Sequence, residues 1–167
     1  MALERHSSSG FVLQPPLPAV RGRLEAALKP EEAEVLLRHG TEAPFCGGLL
    51  ENKTAGVYCC RLCGLPLFRS SAKFESGTGW PSFFEPFDEE HLVKITDRSH
   101  GMVRVEICCA RCGSHQGHVF PDGPPPSRQR YCINSVSLEF VPRGSALRDP
   151  LGVGDRLPGS DGAPGPG

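Results

Sequence analysis

The sequence predicts a largely antiparallel β domain with a helical N-terminal lead, and three observations support this fold class. Residues 30–38 combine a helix start signal, an amphipathic interior and a helix stop signal. After Gly40, the chain divides into short runs of β character that are separated by turn-forming residues. The 167 residues are 38% hydrophobic and 22% charged, so the chain can bury one ordinary core.

The predicted helix spans Pro30–Arg38. Proline occupies the first turn, where its missing N–H group costs nothing, and Glu31 and Glu32 place negative charge at the positive end of the helix dipole. Arg38 lies at the opposite end, and Gly40 follows as the stop signal.

Six runs of β character follow this helix. They are rich in β-branched, aromatic and other apolar residues, and they comprise residues 56–60, 65–68, 92–96, 102–108, 115–120 and 131–140. The last run alternates most regularly. Its alternation predicts one long strand, with Cys132 and Asn134 on the same side as an apolar stripe.

One domain is predicted, at residues 23–142, between two segments with weak folding signals. Residues 1–22 mix serine, proline and isolated apolar residues, which predicts a flexible arm, although the apolar residues at 11–13 can pack locally. Residues 143–167 contain seven glycines and four prolines. Such a segment has too little apolar surface to offset the entropy of ordering, which predicts a disordered tail.

Composition excludes several classes of function. The formal net charge is −1, so the chain has no overall positive field that would attract nucleic acid. No apolar run approaches the roughly 18 residues that span a bilayer. Pro15 and Pro16 interrupt the apolar core that a signal peptide would need. We therefore expect a cytoplasmic protein that binds neither nucleic acid nor membranes.

Eight cysteines in a chain without a secretion signal indicate metal binding or redox chemistry rather than a disulfide scaffold. Two copies of C-x-x-C-G are separated by 45 residues. The two-residue spacer lets both sulfurs of a pair reach one ion, so the two copies predict a tetrahedral structural zinc site on two hairpins. The predicted ligands are Cys60, Cys63, Cys109 and Cys112.

Two other interpretations of these cysteine pairs remain open. A single C-x-x-C can be a redox pair, and buried thiols can simply fill a core. Cys59 and Cys108 each precede a predicted ligand directly, and the matching C-x-x-C-G repeat favours the second cysteine of each doublet. We interpret Cys59 and Cys108 as small core residues.

Cys132 is the most informative of the remaining cysteines. Arg130 shares its side of the predicted strand and can stabilise a thiolate. His115, His118 and Asp122 lie shortly upstream, which favours a thiolate surrounded by general acids. Packed residues without a catalytic role are equally compatible with this spacing, and the two histidines could instead complete a second metal site.

The single tryptophan, Trp80, lies on a loop between glycines and a proline, where it is either a pocket wall or a core plug. This loop and three further segments together resemble the methionine sulfoxide reductase B family. The segments that carry the resemblance are residues 77–83, 97–102, 111–124 and 130–135. The resemblance extends over about residues 28–142. It implies a mainly β domain of two antiparallel sheets, barrel-like or tent-like, with short N-terminal helices and a structural zinc on the same four cysteines.

The resemblance implies that Cys132 is the nucleophile, which attacks the sulfoxide sulfur of R-epimer methionine sulfoxide and becomes a sulfenic acid. The departing oxygen needs a proton, so His115 and His118 are expected to hydrogen-bond to it or to its water network, with Asp122 orienting or tuning a histidine. The resemblance also assigns two polar groups beside the nucleophile and two aromatic groups around the S-methyl group, namely Arg130 and Asn134, and Trp80 and Phe120. The substrate is free or protein-bound methionine-R-sulfoxide.

The sulfenic acid must then be reduced, and Thr78 stands where many family members keep the resolving cysteine. Some members use an N-terminal cysteine, so the resemblance implies a disulfide between Cys46 and Cys132 that thioredoxin later reduces. Such a bond requires the two Cα atoms to come within about 7 Å. Resolution by Cys59 or Cys108, or direct attack by thioredoxin, are the alternatives. We expect the enzyme to be a monomer.

Gln116 is a second departure from the family pattern, which usually has leucine at this position. A rival hypothesis from another class is a zinc-knuckle binding module of related fold that docks a protein partner without catalysis. Cys132 and its neighbouring histidines separate the two hypotheses, because a docking module has no need of a thiol there.

Overall fold

The computed structural model describes residues 4–157, in which two helices precede two antiparallel β-sheets. The helices are α1 (Pro18–Ala26) and α2 (Pro30–Arg38). The strands are β1 (Gly56–Cys60), β2 (Pro66–Arg69), β3 (Lys73–Phe74), β4 (Ser82–Phe83), β5 (Leu92–Asp97), β6 (Arg104–Cys109), β7 (His115–Phe120), β8 (Arg130–Ile133) and β9 (Leu138–Pro142). No helix in these residues is long and apolar enough to cross a membrane.

The strand order is β2-β1-β9 in the smaller sheet and β3-β4-β8-β7-β6-β5 in the larger one. Aromatic side chains of the two sheets meet in a shared core, where the Phe68 and Phe83 rings stack with centroids 4.4 Å apart and Tyr58 lies edge-on to Phe83. The prediction of a mainly β fold with two antiparallel sheets is confirmed. Neither sheet closes into a barrel within residues 4–157, so "barrel-like" is too loose a description.

Helix α2 has the limits that the sequence predicts. The Glu32 carboxylate accepts a hydrogen bond from the Lys29 backbone N–H at 2.9 Å, which satisfies one of the unpaired donors at the helix start. Val35 and Leu36 are buried, and the helix packs against β7 and the turn that precedes β9. It ends at His39, whose left-handed backbone has a φ of 58°.

The predicted strand at residues 131–140 is wrong in its length. The structure has β8 and β9 in different sheets, separated by a single 3-10 turn at Ser135–Ser137. Serine hydroxyls in this turn bond to backbone groups of other segments, which favours a turn over continued strand pairing. Tyr131 and Ile133 face the core in β8, so Cys132 lies on the opposite face from the apolar stripe.

Residues 4–17, within the segment predicted as a flexible arm, pack against the domain. Phe11 and Leu13 lie in the hydrophobic core. Serine side chains of the arm hydrogen-bond to the His91 imidazole and the Asp88 carboxylate. Burial alone would raise the pKa of Asp88, but these hydrogen bonds lower it to about 2. The arm is therefore anchored by distant partners that its own sequence does not reveal.

The segment predicted as a disordered tail also makes contacts as far as the structure describes it. Asp155 forms a two-pronged ion pair with Arg111, with N···O distances of 3.1 and 2.7 Å, and both side chains are buried. Three leucines pack against the core, namely Leu147, Leu151 and Leu157. Residues 158–167 of the predicted tail lie outside the described residues.

Candidate active site

The two C-x-x-C-G repeats lie on two hairpins, one in each sheet. The first turn joins β1 to β2 and the second joins β6 to β7. In both turns the glycine, Gly64 or Gly113, has a positive φ (83° and 77°) and donates its N–H to the first cysteine's carbonyl at 2.8 Å. Four buried cysteines meet between the hairpins: Cys60, Cys63, Cys109 and Cys112.

The spacing of the four sulfurs fits a tetrahedral metal site. The Sγ atoms of Cys60 and Cys112 are 3.6 Å apart, and those of Cys63 and Cys109 are 3.5 Å apart. Zinc–sulfur bonds of about 2.3 Å in a tetrahedron place the sulfurs about 3.8 Å apart, whereas a disulfide needs about 2.05 Å. The cluster can therefore bind a metal ion and is compatible with zinc.

Gln116 faces this four-cysteine cluster. Its Nε2 donates to the Cys60 Sγ at 3.5 Å and to the Ser114 Oγ at 3.1 Å. The Ser114 hydroxyl in turn lies 3.2 Å from the Cys60 Sγ and 3.1 Å from the Cys112 Sγ. Donors around a thiolate favour its charged form and fix its orientation. Glutamine at position 116, where the family usually has leucine, thus places a hydrogen-bond donor beside the cysteine sulfurs.

A cavity of about 230 Å³ opens beside Cys132. Six of the residues that the sequence singled out line it: Trp80, His118, Phe120, Arg130, Cys132 and Asn134. His115, Asp122 and Cys46 are not among its lining residues. The cavity is small, and its walls combine aromatic surface with a few polar groups, as expected of a site for a single side chain or small molecule.

Strand register places the thiol of Cys132 next to an imidazole. Cys132 on β8 is directly opposite His118 on β7 and Ser82 on β4, so these side chains share one face of the larger sheet. Burial raises the pKa of the Cys132 thiol, while the Arg130 guanidinium and the Thr78 hydroxyl partly oppose this effect. Arg130 lowers the pKa of Cys132, as expected, but burial raises it by more.

Asp122, predicted to orient or tune a histidine, contacts Arg130 in the structure. Its carboxylate accepts two hydrogen bonds from the Arg130 guanidinium, at 2.9 and 3.2 Å, and the Arg130 guanidinium lies 4.5 Å from the centroid of the Phe120 ring. Asp122 follows the end of β7, directly across the hairpin from the start of β8. Its nearest charged partner is therefore Arg130.

Asp97 is the carboxylate that contacts His118. Its Oδ2 accepts a hydrogen bond from the His118 Nε2 at 2.8 Å and a weaker contact from the Arg104 guanidinium at 3.3 Å. Hydrogen bonds from the side chain and backbone of Ser99, and then from His118, lower the pKa of Asp97. Asp97 begins the segment 97–102 that carries the family resemblance, but no role is predicted for it from the sequence.

Glu106 is the carboxylate that contacts His115. Its Oε2 is 2.6 Å from the His115 Nδ1 and 2.5 Å from the Nδ1 of His39. Burial lowers the pKa of His115, with Glu106 partly opposing, so the neutral imidazole is favoured. No sequence signal marked Glu106 or His39, because their neighbourhood depends on the pairing of β5, β6 and β7 and on where α2 ends.

Trp80 and Asn134 are held by the segment that follows α2. The Trp80 Nε1 donates to the Glu42 carbonyl at 3.0 Å, and the Asn134 Oδ1 accepts the Glu42 N–H at 3.0 Å. The Asn134 Nδ2 donates to the Gln116 carbonyl at 3.1 Å. Trp80 is thus a wall of the cavity, one of the two alternatives left open by the sequence.

All eight cysteines lie within the described residues and are free thiols, and among them only Cys46 is exposed. The preceding Phe45 donates its backbone N–H to the Gly79 carbonyl at 2.7 Å, next to the loop that carries Thr78 and Trp80. Cys59 and Cys108 are buried. Burial raises the pKa of both thiols, in Cys108 to about 12.

The structure thus combines a partly buried thiol opposite a histidine, in a small aromatic-walled cavity, with a separate four-cysteine cluster that can bind a metal ion. This combination is typical of a thiol-dependent oxidoreductase. The model of the SelR domain matches residues 28–142. Peptide methionine sulfoxide reductase MsrB of Caulobacter vibrioides is 68% identical over 151 residues, which are 90% of this chain and 95% of that protein. The proteins of the same name from Xylella fastidiosa strain M23 and Pseudomonas fluorescens are 63% and 58% identical, over 87% and 70% of this chain and 94% and 89% of their own lengths.

The chain therefore belongs to the SelR-domain family of peptide methionine sulfoxide reductases, MsrB. It is an oxidoreductase that reduces methionine sulfoxide, and the resemblance found in the sequence is confirmed. The alternative of a non-catalytic binding module is not favoured.

Proposed function

We propose that this chain reduces the R epimer of methionine sulfoxide, free or within proteins, with Cys132 as the nucleophile. The observation that carries the proposal is the position of Cys132, which lines a small cavity directly opposite His118. The relatives' names supply the peptide substrate class.

In the proposed reaction, the Cys132 thiolate attacks the sulfoxide sulfur while an acid protonates the sulfoxide oxygen. The oxygen ends on the sulfur of Cys132 as a sulfenic acid, and the substrate leaves as methionine. The substrate sulfur gains two electrons and the cysteine sulfur loses two, so the step needs no further reductant. Because burial raises the pKa of Cys132, Arg130 and Thr78 are needed to stabilise the thiolate.

Other residues in and around the cavity have separate proposed roles. Trp80 and Phe120 provide the apolar surface that receives the S-methyl group, while His118 and His115 are the proposed proton donors. Asn134 fixes the backbone around Gln116 and Glu42 through its amide. Asp122 acts through Arg130, by holding the guanidinium in place beside Cys132.

Zinc is the metal we propose for the four-cysteine cluster. Bound there, it would supply a structural link between the two hairpins and take no part in the redox step. The charge of four thiolates exceeds that of one zinc ion, and the donors from Ser114 and Gln116 are suited to this excess negative charge.

For the second half-reaction, we propose that Cys46 attacks the sulfenic acid and that thioredoxin reduces the resulting disulfide. Cys46 is exposed and its segment bonds to the loop that carries Thr78, whereas Cys59 and Cys108 are buried thiols of raised pKa. Eight unpaired thiols suit a reducing compartment, so a cytoplasmic monomer completes the proposal.

The test is single-turnover reduction of R- and S-methionine sulfoxide, free and in a short peptide, without added reductant. Methionine from the R epimer alone, with the loss of two thiols, supports the whole proposal. Cys132→Ser should abolish product, and Cys46→Ser should keep one turnover but consume one thiol and lose coupling to thioredoxin. Product from Cys132→Ser would contradict the proposal that Cys132 is the nucleophile. Unchanged thioredoxin-coupled turnover in Cys46→Ser would contradict the proposed disulfide.

A further inference from the structure

Three titratable side chains form a line from solvent to the interior next to the cavity. His39 is outermost, with 57% of its side chain exposed, followed by Glu106 with 11% and His115 with 2%. A single carboxylate oxygen, Glu106 Oε2, lies 2.5 Å from the His39 Nδ1 and 2.6 Å from the His115 Nδ1. One oxygen therefore joins an exposed imidazole to a buried one.

The distances in this cluster are those of short hydrogen bonds. Ligands of a tetrahedral zinc ion, with bonds of about 2.05 Å, are separated by about 3.3 Å. The separations of 2.5 and 2.6 Å are clearly shorter. They match charge-assisted hydrogen bonds between an imidazole and a carboxylate. The cluster offers three potential metal ligands. Their short separations, however, fit hydrogen bonds that can carry a proton better than they fit a metal site.

The inner end of the line adjoins the proposed catalytic groups. Glu106 is directly opposite His118 in the sheet, and His118 is directly opposite Cys132. The rings of His115 and His118 have centroids 5.5 Å apart. The His115 Nε2 is buried and makes no hydrogen bond within the described part of the chain. A buried ring nitrogen without a partner can accept or donate a proton when a polar group approaches.

The backbone at His39 gives independent support. His39 is the C-terminal cap of α2 and has a φ of 58°, in the left-handed region. Helices usually place glycine, or sometimes asparagine, in this conformation. A histidine held in that conformation, with its ring against Glu106, suggests that the imidazole itself is needed.

We propose that His39 is a positioning residue that passes protons between solvent and His115 through Glu106, and this inference rests on the proposed function. In this path His115 starts as the neutral tautomer that carries its proton on Nε2. A solvent proton on His39 moves from its Nδ1 to the Glu106 Oε2 and then to the His115 Nδ1, as the His115 Nε2 releases its own proton toward the water network around the sulfoxide oxygen. One proton enters at His39 and one leaves at His115, which returns to its starting tautomer before the next turnover.

The charged groups around this line are few. Glu106 contacts the two histidines and lies beside the Cys108 thiol, whose pKa is raised first by burial and then by this carboxylate. His115 faces His118, which is bound to Asp97. On α2, the nearby acid and base, Glu34 and Arg38, pair with each other at 2.6 Å. Within the described residues, His39 is therefore the exposed titratable side chain that connects the Glu106 carboxylate to solvent.

The backbone conformation also provides suitable variants. His39→Asn and His39→Gly both suit a left-handed residue, so both should fold, and neither can carry the proton. His39→Gly also leaves space for added imidazole. His6→Asn is the matched control, because His6 is an exposed histidine of the N-terminal arm, away from the cavity.

We expect single-turnover methionine formation at pH 7 to slow about tenfold in both His39 variants, since general acids contribute about 100-fold or more and His118 remains. The apparent affinity for the sulfoxide should not change. The rate of His39→Asn should become dependent on the concentration of buffer acid, because external acids replace the lost path. Imidazole should restore His39→Gly but leave the wild type and His6→Asn unchanged.

Three outcomes would overturn the proposal. These are wild-type rates in both variants, slowing without buffer dependence or imidazole rescue, and a second divalent ion per chain that is lost on replacement of His39. The last outcome would assign the cluster to a metal. A wild-type protein that forms no methionine would instead refute the proposed function, so the two failures are distinguishable.

Discussion

Replacing Asp155 by asparagine should destabilise the protein strongly, although Asp155 lies in the segment that composition predicts to be disordered. The Arg111 side chain is completely buried, and its counterion is the Asp155 carboxylate. Its other hydrogen bonds go to the carbonyl groups of Val12 and Cys63, which carry no charge. Asp155→Asn therefore leaves a buried guanidinium without its carboxylate counterion.

The expected cost follows from this burial. Removing one partner of a buried ion pair costs about 3–5 kcal/mol, and each kcal/mol lowers the melting temperature by about 2–4 °C for a domain of this size. We expect Tm to fall by about 10 °C in a thermal unfolding scan followed by circular dichroism. Because Arg111 also binds the carbonyl of Cys63, chelator-driven metal loss should become faster in the same variant.

Glu139→Gln is the matched control. Glu139 also pairs with an arginine of the tail segment, Arg148, but the side chains are 33% and 40% exposed. An exposed pair contributes no more than about 1 kcal/mol, so its Tm should fall by only a few degrees. If Asp155→Asn lowers Tm no more than Glu139→Gln does, the buried pair does not hold the tail, and the reasoning is refuted.

Three further predictions concern the arm, the nucleophile and the metal cluster. Phe11→Ala should lower the free energy of unfolding in urea by about 3–5 kcal/mol, since Phe11 is buried in the core; a loss below about 1 kcal/mol would mean that the arm is not packed. Alkylation of Cys132, followed by mass spectrometry across pH, should have its midpoint above that of an ordinary thiol, because burial raises the pKa. Arg130→Met should move this midpoint to still higher pH. A midpoint at lower pH would contradict the stabilisation of the Cys132 thiolate by Arg130. Gln116→Leu should speed chelator-driven metal loss about tenfold by removing a donor to Cys60, and an unchanged rate would show that the contact is immaterial.

Local chemistry explains which parts of the fold could be predicted from the sequence. The limits of α2 follow from proline and glutamates at one end and from arginine and glycine at the other, and the structure reproduces them. The hairpins at Cys60–Cys63 and Cys109–Cys112 follow from the repeated turn motif. Each of these signals lies within a few residues of the structure that it specifies.

The arm and the tail could not be predicted in the same way. Their composition is that of weakly folding segments, yet Phe11 lies in the core and Asp155 meets Arg111, which is 44 residues earlier in the chain. A single buried ring or ion pair creates no periodic sequence pattern and does not change the composition of its segment. Neither signal can therefore predict it. The resemblance implies short N-terminal helices, but the residue pattern does not give the limits of α1, since none of its residues is buried.

The strand break after Ile133 shows a related limit. Alternation of polar and apolar residues continues through the turn at Ser135–Ser137, so the period alone predicts one strand. The two pieces belong to different sheets, and the change of sheet reverses which residues face the core. As a result Tyr131 and Ile133 are buried, and Cys132 is free to line the cavity.

The carboxylates of the site illustrate why chain proximity misleads in a sheet. Asp122 is only four residues from His118 in the sequence, yet it binds Arg130 across the hairpin. The carboxylate that binds His118 is Asp97, 21 residues earlier, on the edge strand of the sheet. In an antiparallel sheet, neighbours are set by strand order and register, because side chains on one face meet across strands about 4.8 Å apart. The motifs suffice to propose Cys132 as the nucleophile and the two histidines beside it, but the carboxylates that contact these histidines follow only from the pairing of β5, β6 and β7.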